Sequence, residues 1–120
     1  MLFIKNGIHM VAIREGSVIN VKPNPKFVRD NVAYGAIMLN STVVGVYPLE
    51  NDERGYQSTV YDVFRDICKQ INAGDKIIVI PNSYHFKSVD EYEAFKTMLD
   101  TYTNEELINL YYDGIRKVGI

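Results

Sequence analysis

The residue types best suited to binding or catalysis gather in residues 82–87, which read NSYHFK. Tyr84, His85 and Phe86 offer aromatic faces on which a nucleobase can stack, and such stacking contributes roughly 1–3 kcal/mol per base. Asn82 adds an amide that can read the edge of a ring. Loops that leave a rigid strand often carry binding groups, so this stretch is a candidate ligand site. The alternative is that Tyr84 and Phe86 only fill the gap between a sheet and the last helices.

Two arginines are candidate anion contacts. Arg54 precedes a predicted helix, and a cation beside a helix N-terminus forms an anion site. A surface ion pair of Arg54 with Glu50 or Glu53 is the alternative. Arg116 lies in the last turn of the final predicted helix. It is either a partner of the helix dipole or a phosphate contact across a subunit boundary.

Signatures of catalysis and of metal binding are absent from the sequence. His9 and His85 are far apart and show no metal-ligand spacing. Neither a glycine-rich phosphate loop nor a nucleophile elbow is present. The carboxylates at 90–93 and 105–106 suit helix N-termini, where they complement the helix dipole. We therefore expect no catalytic residue, no metal and no cofactor, although a small enzyme without a recognised motif stays an alternative.

The element that must position residues 82–87 is a helix followed by a strand. The spacing predicts an amphipathic helix over 58–73 with Ser58 as its N-cap and Gly74 as its left-handed C-terminal residue. Cys68 falls on the apolar stripe and is predicted to pack in the core. The apolar run at 76–80, which Pro81 ends, predicts a central strand covered on both sides, or at least one packed under the helix.

The first 50 residues predict a β-meander. Short apolar runs alternate with turn residues, and residues 15–17 are predicted to join two strands as a hairpin. Pro23 and Pro25 are predicted to stop the ladder, because proline lacks the N–H that pairing needs, so 23–31 is predicted as a loop. Gly45, within a later strand, marks either a bulge or a close approach of backbone or ligand.

The C-terminal third predicts two helices. Ser88 and Thr103 each begin a capping box and are followed by apolar residues at helical spacing. The sequence as a whole therefore predicts a single α+β domain over 1–120, with segments 1–50, 58–81 and 88–118. An antiparallel sheet of about five strands would be packed by one central helix and followed by two C-terminal helices.

Composition narrows the classes of partner. The net charge is −2, which argues against bulk nucleic-acid binding. Basic residues predominate in 1–30 and acidic residues in 87–113. This asymmetry reflects solvated helix faces, an anion site in the basic half, or opposite halves that meet in an oligomer. The single cysteine fits a reducing compartment, and no apolar run is long enough for a membrane span, so we expect a cytoplasmic protein.

Tyrosine is abundant, with nine residues in the chain. Tyr111 and Tyr112 are adjacent, and neighbours on a helix point about 100° apart, so both cannot face one core. Tyrosine combines apolar area with a polar tip and is common at interfaces. This pattern predicts a homo-oligomer.

Several of these features together resemble small proteins encoded by phages and prophages of Firmicutes. The features are Gly45-Val46-Tyr47-Pro48 at a strand end, Glu53-Arg54 before the helix, and the strand 76–80 ending in Pro81. The resemblance covers the first 81 residues and lies in layout more than in residues. Gly55-Tyr56-Gln57, ahead of the helix, departs from the pattern.

Some compact phage proteins of this kind sequester the cyclic ADP-ribose signals of Thoeris immunity without degrading them. The resemblance implies a binding protein with aromatic and arginine contacts at a subunit interface, and it directs attention to Arg54, Phe86 and Arg116. It also implies that the protein acts in the host cytoplasm.

The leading functional hypothesis is thus a non-enzymatic, oligomeric phage-type protein that binds a small anionic nucleotide-like signal. The alternative is a protein–protein inhibitor or adaptor that contacts a host protein through acidic C-terminal helices.

Overall fold

The computed structural model describes residues 2–50 and 58–99, and these residues have the α+β class that the sequence predicts. No helix in this part of the chain has the length and apolar character needed to cross a membrane. The elements are β1 (Leu2–Asn6), β2 (His9–Ile13), β3 (Ile19–Arg29), β4 (Val32–Leu39), β5 (Thr42–Pro48), α1 (Val60–Asn72), β6 (Ile77–Val79) and α2 (Val89–Leu99). The second predicted C-terminal helix and its tyrosine pair lie outside the described residues.

The strands form two three-stranded sheets and not the single antiparallel sheet of about five strands that was predicted. The first sheet has the order β2-β1-β6 and the second has the order β3-β4-β5. β1 pairs antiparallel with β2 but parallel with β6, so the first sheet is mixed. The second sheet is antiparallel throughout.

The chain crosses from the first sheet to the second between β2 and β3. The hairpin predicted around residues 15–17 is therefore wrong, because the strands on either side of it belong to different sheets. A turn is still present: the Ser17 N–H donates to the Arg14 carbonyl, and the Arg14 N–H donates to the Ser17 hydroxyl. Gly16 has a φ of +85° in this turn. Turn chemistry alone thus did not determine whether the flanking strands pair.

β3 continues through Pro23 and Pro25, which corrects the predicted loop at 23–31. β3 is an edge strand, where a proline without an N–H can be tolerated. Its register with β4 shifts between Asn24 and Val28. The strand then reverses at Asp30 and Asn31, whose φ angles of 53° and 64° are the left-handed pair that a tight hairpin uses.

The predicted central helix is present as α1: its N-cap and one surface residue differ from the prediction, and its left-handed C-terminal glycine is confirmed. Thr59, and not Ser58, is the N-cap, and it forms a reciprocal capping box with Asp62. Gly74 has a φ of +86°, and the N–H groups of residues 74 and 75 bond back to Ile71 and Gln70, as in a Schellman motif. Cys68 is exposed, which corrects its predicted core position. It lies about 100° around the helix from Ile67, beyond the buried stripe.

β6 lies at an edge of the first sheet, which corrects the predicted central, doubly covered strand. The alternative, a strand packed under the helix, is confirmed, because Ile78 shares a core with Ile67 of α1. Ile78 is fully buried, whereas Ile77 and Val79 are exposed. The side-chain amide of Gln70 covers the outer edge of β6. It donates to the Val79 carbonyl at 2.8 Å and accepts from the Val79 N–H at 2.9 Å.

The second sheet separates two hydrophobic cores. On one face, α1 and the first sheet pack against it around an aliphatic core, to which Tyr47 and Tyr61 also belong; its aliphatic members are Ile4, Val21, Ile37, Val60, Val63, Ile67, Ile78 and Ile80. On the other face, α2 packs around an aromatic core of Phe27, Ala36, Met38, Val46, Phe95 and Leu99, with Tyr34, Tyr84 and Phe86 partly buried against it. Alternation along β4 sends Ile37 to one core and its neighbours to the other.

Candidate ligand-binding groove

Residues 81–87 lie along the outer edge of β5 and are bonded to it. The Tyr84 N–H donates to the Val46 carbonyl at 2.9 Å, and the Ser83 hydroxyl accepts from the Val46 N–H at 2.7 Å. The hydroxyl of Ser83 is therefore engaged with the strand and not with His85. An edge strand normally presents unpaired backbone groups, and this segment satisfies those of Val46.

The aromatic core holds the segment from below. Phe27 is fully buried and makes edge-to-face contacts with four rings, at centroid distances of 4.9–6.2 Å. The four rings are those of Tyr34, Tyr84, Phe86 and Phe95. Edge-to-face pairs of this kind contribute roughly 0.5–1.5 kcal/mol each beyond the area they bury. Because the contacts are directional, they fix the orientation of Tyr84 and Phe86.

Glu91 anchors the segment from the side of α2. Its carboxylate accepts the Lys87 N–H at 3.0 Å, the Tyr84 hydroxyl at 3.0 Å and the Arg29 Nε–H at 3.1 Å. The Lys87 N–H, with Arg29 and Tyr84, lowers the pKa of this carboxyl below its ordinary value. Glu91 is therefore a structural anchor rather than one charge of an acidic surface.

Arg29 completes this network at the end of β3. Its guanidinium lies 4.1 Å from the centre of the Phe27 ring and also donates to the Val28 carbonyl. The cation and the ring attract each other, so Arg29 joins β3, the aromatic core and α2. Its charge is paired with Glu91.

Tyr47 holds the beginning of the segment. Its hydroxyl donates to the Pro81 carbonyl at 2.6 Å, and burial raises the pKa of that hydroxyl strongly. The ring lies against Gly45, where an added Cβ would stand 2.6 Å from a ring carbon. Gly45 is also next to the register shift between β4 and β5. The bulge interpretation of this glycine is therefore confirmed, and the group that approaches it closely is a side chain, the Tyr47 ring, rather than backbone or a ligand.

Two adjoining pockets lie along residues 81–86, and Val46 of β5 lines both of them. The first has a volume of about 380 Å³ and lies between the rings of Tyr34, Tyr47 and Tyr84. Ser58 and Asn82 add polar groups to its wall. This combination of aromatic walls and a few polar groups is typical of small-molecule sites.

The second pocket has a volume of about 570 Å³ and extends toward the turn between β1 and β2. Asn6 and His9 line it on the side of that turn, and His85 and Phe86 line it on the side of α2. The two histidines, distant in sequence, thus border the same space. We refer to the two pockets together as the groove.

The wall of the groove is polar but has no fixed charge. None of its described lining residues is Lys, Arg, Asp or Glu. Burial raises the pKa of Tyr34 and, with the hydrogen bond to Glu91, that of Tyr84, so both hydroxyls stay protonated at neutral pH. His9 and His85 are the basic side chains among the described lining residues, and an imidazole N–H of either could donate to an anion.

The structure brings together four of the six residues predicted as ligand contacts. Asn82, Tyr84, His85 and Phe86 all line the groove, whereas Arg54 and Arg116 lie outside the described residues. Asn82 and His85 are exposed, and their side chains bond no other described residue. Tyr84 and Phe86 also fill the aromatic core, as the alternative held, so they form wall more than free recognition groups.

Sequence reasoning did not assign the opposite wall. Tyr34 and Tyr47 come from the second sheet, and Asn6 and His9 come from a turn of the first. The Asn6-Gly7 turn and the strand end at Tyr47 were visible as signals of local structure. Nothing in either signal shows that the two strands meet residues 81–86.

No protein-family model, curated protein or solved structure matches this chain. Among residues 2–50 and 58–99, no group of three or more His, Cys, Asp or Glu side chains could hold a metal ion. The functional argument therefore rests on the groove itself.

Proposed function

We propose that this protein binds a small nucleotide-like molecule in the groove and holds it without chemical conversion. The observation that carries the proposal is that the exposed amide of Asn82 and the exposed imidazole of His85 lie beside tyrosine-lined walls. Flat rings suit the faces of Tyr34 and Phe86. The amide suits the edge of a base, and the imidazoles of His9 and His85 suit a phosphate.

Sequestration of a signal molecule is the biological form of this proposal. The layout of the first 81 residues resembles phage proteins that act in this way, and it supports an anti-defence role in the host cytoplasm. The groove adds an argument for binding over catalysis. In a catalytic site His85 would itself be the general base and a carboxylate beside it would orient the imidazole, and none of the described lining residues of the groove is Asp or Glu.

The experiment is a binding panel with recovery of the ligand. Purified protein is titrated by calorimetry with nucleoside monophosphates, cyclic mononucleotides and cyclic ADP-ribose isomers. The bound molecule is then released by heat and weighed by mass spectrometry. We expect at least one ligand to bind and to be recovered unchanged. Recovery of an altered molecule, or no binding across the panel, would refute the proposal.

Two variants test the site. Asn82→Ala and His85→Ala each remove one hydrogen-bonding group, so we expect binding weaker by roughly three- to tenfold. Asn20→Ala is the matched control, because Asn20 is an exposed amide on β3 and does not line the groove. Equal losses in all three variants would contradict the assignment.

The alternative is a protein–protein inhibitor or adaptor that acts through acidic helices, and fewer described residues support it than support the groove. On α2 it rests on the exposed Asp90 and Glu93, since Glu91 is engaged with Arg29, Tyr84 and Lys87. It predicts a host-protein complex that forms at low salt and weakens as salt rises. An empty pull-down at low salt would argue against it.

A further inference from the structure

The outer edge of β2 differs from the covered edges of β5 and β6, and it lacks the prolines that the edge strand β3 carries. Residues 81–84 cover the edge of β5 at Val46, and the Gln70 amide covers β6 at Val79. β2 pairs only with β1, and within the described residues nothing bonds to its outer side between His9 and Ile13. An unprotected edge is a template for a further strand.

Neighbouring hydrogen bonds identify which backbone groups of β2 are open. The Phe3 N–H donates to the Lys76 carbonyl, and the Lys5 carbonyl accepts from the Ile80 N–H, so residues 3 and 5 direct their backbone groups toward β6. Their partners on β2 are Ala12 and Met10. In an antiparallel pair, residues opposite each other either exchange hydrogen bonds or both face away. Met10 and Ala12 therefore direct their N–H and carbonyl groups outward.

The open part of the edge has definite ends. At its C-terminal end, the Arg14 N–H and carbonyl are both bonded to Ser17. At its other end, the chain turns at residues 7 and 8. Four backbone groups remain open between these limits, two on Met10 and two on Ala12.

We infer that the occupant of this edge is β2 of a second copy of the chain. An antiparallel pair centred on Val11 places Met10 of one copy opposite Ala12 of the other. That register joins the open groups of each copy in four hydrogen bonds and leaves none unpaired. The strand is thus complementary to itself about a two-fold axis, which is the commonest symmetry of homodimers.

The side chains of β2 fit this pairing. No residue from His9 to Ile13 is Asp, Glu, Lys, Arg or Pro, the types that usually guard an edge. Met10 and Val11 are 48% and 37% exposed despite their apolar character. The pairing joins the two first sheets into one sheet of six strands. The exposed apolar side chains of Met10, Ile77 and Val79 then lie on one continuous face.

A disulfide trap tests the register. In this register Val11 of one copy lies opposite Val11 of the other, and the two residues exchange no hydrogen bonds. The Cα atoms of such a pair lie about 4.5 Å apart, a distance that suits a disulfide. In a Cys68→Ser background, Val11→Cys should form a covalent dimer on mild oxidation. Val79→Cys in the same background is the matched control, because Val79 is exposed on the covered edge. No crosslinking at Val11, or equal crosslinking at both sites, would overturn the inference.

Sedimentation of the full chain without ligand tests the dimer itself. We expect the wild-type mass to be twice that of one chain. Ala12→Pro removes the outward N–H of each copy, and so two of the four hydrogen bonds, and leaves the β1 ladder intact. The dissociation constant of the dimer should therefore rise roughly tenfold to hundredfold. Ala12→Ser keeps the N–H and should behave as wild type. A wild-type monomer whose Met10 and Ala12 amides resist hydrogen exchange would mean that the chain covers its own edge. A monomeric wild-type protein, whatever its hydrogen exchange, would contradict the inference that a second copy occupies the edge of β2.

Discussion

The two hydrophobic cores of this protein differ in how they constrain the chain. The aliphatic core holds α1 and the two sheets together through contacts of low directionality, because branched side chains pack by shape and area. The aromatic core uses edge-to-face rings and adds the Arg29, Tyr84 and Lys87 bonds to Glu91. The first core stabilises a fold, and the second also fixes the position of one segment at the groove.

The largest test of this difference is at Phe27, the buried centre of the aromatic core. Phe27→Ala should lower the free energy of unfolding by about 3–5 kcal/mol, because it opens a cavity among four rings. Urea denaturation measures this loss. The reference is Ile67→Ala in the aliphatic core, where we expect about 2–5 kcal/mol.

Ligand binding separates the two variants even where their stability losses are similar. Under conditions in which both stay folded, Phe27→Ala should weaken binding to the groove and Ile67→Ala should not. The same binding loss in both variants would show that the cores do not divide their roles in this way.

A smaller effect is expected at Gly45, which lies against the Tyr47 ring of the aliphatic core. Gly45→Ala places a methyl group 2.6 Å from the Tyr47 ring, and the hydroxyl of that ring is tethered to the Pro81 carbonyl. We expect a loss of about 1–3 kcal/mol from overpacking, measured by thermal or urea unfolding. In a Tyr47→Leu background the same substitution should be less harmful. Additive losses would mean that the ring is not the cause.

The smallest expected effect depends on pH and concerns Glu91. The folded protein lowers the pKa of this carboxyl, so the stability it contributes is present above its unfolded pKa. That stability is lost as pH falls through the lower, folded pKa. Glu91→Gln should therefore be less stable than wild type at neutral pH, and the difference should close in acid. Urea midpoints measured across this pH window check the sign, and a pH-independent difference would contradict the anchor.

Local patterns in the sequence were sufficient for several elements. The stripe from Val60 to Ile71 gave α1, Gly74 gave its C-terminal turn, and Ser88 gave the start of α2, where its hydroxyl accepts from the Glu91 N–H. Each of these depends on residues only a few positions apart. Of the candidate site, the stretch 82–86 was predictable for the same reason.

The errors arose where the outcome depends on distant partners. β2 and β3 follow each other in the chain but belong to different sheets, and the turn between them does not encode which sheet each strand joins. Whether Pro23 ends a strand depends on that strand lying at an edge. The wall formed by Tyr34, Asn6 and His9 depends on both sheets being in place, and no local spacing encodes that.

The amide of Gln70 has a consequence for how many copies can associate. By bonding both backbone groups of Val79, it blocks the pairing of another strand at that position of the β6 edge. A sheet that can pair with another copy at both of its edges can polymerise. A sheet that can pair at only one edge associates no further than a dimer. One glutamine side chain would thus separate a finite complex from a fibre.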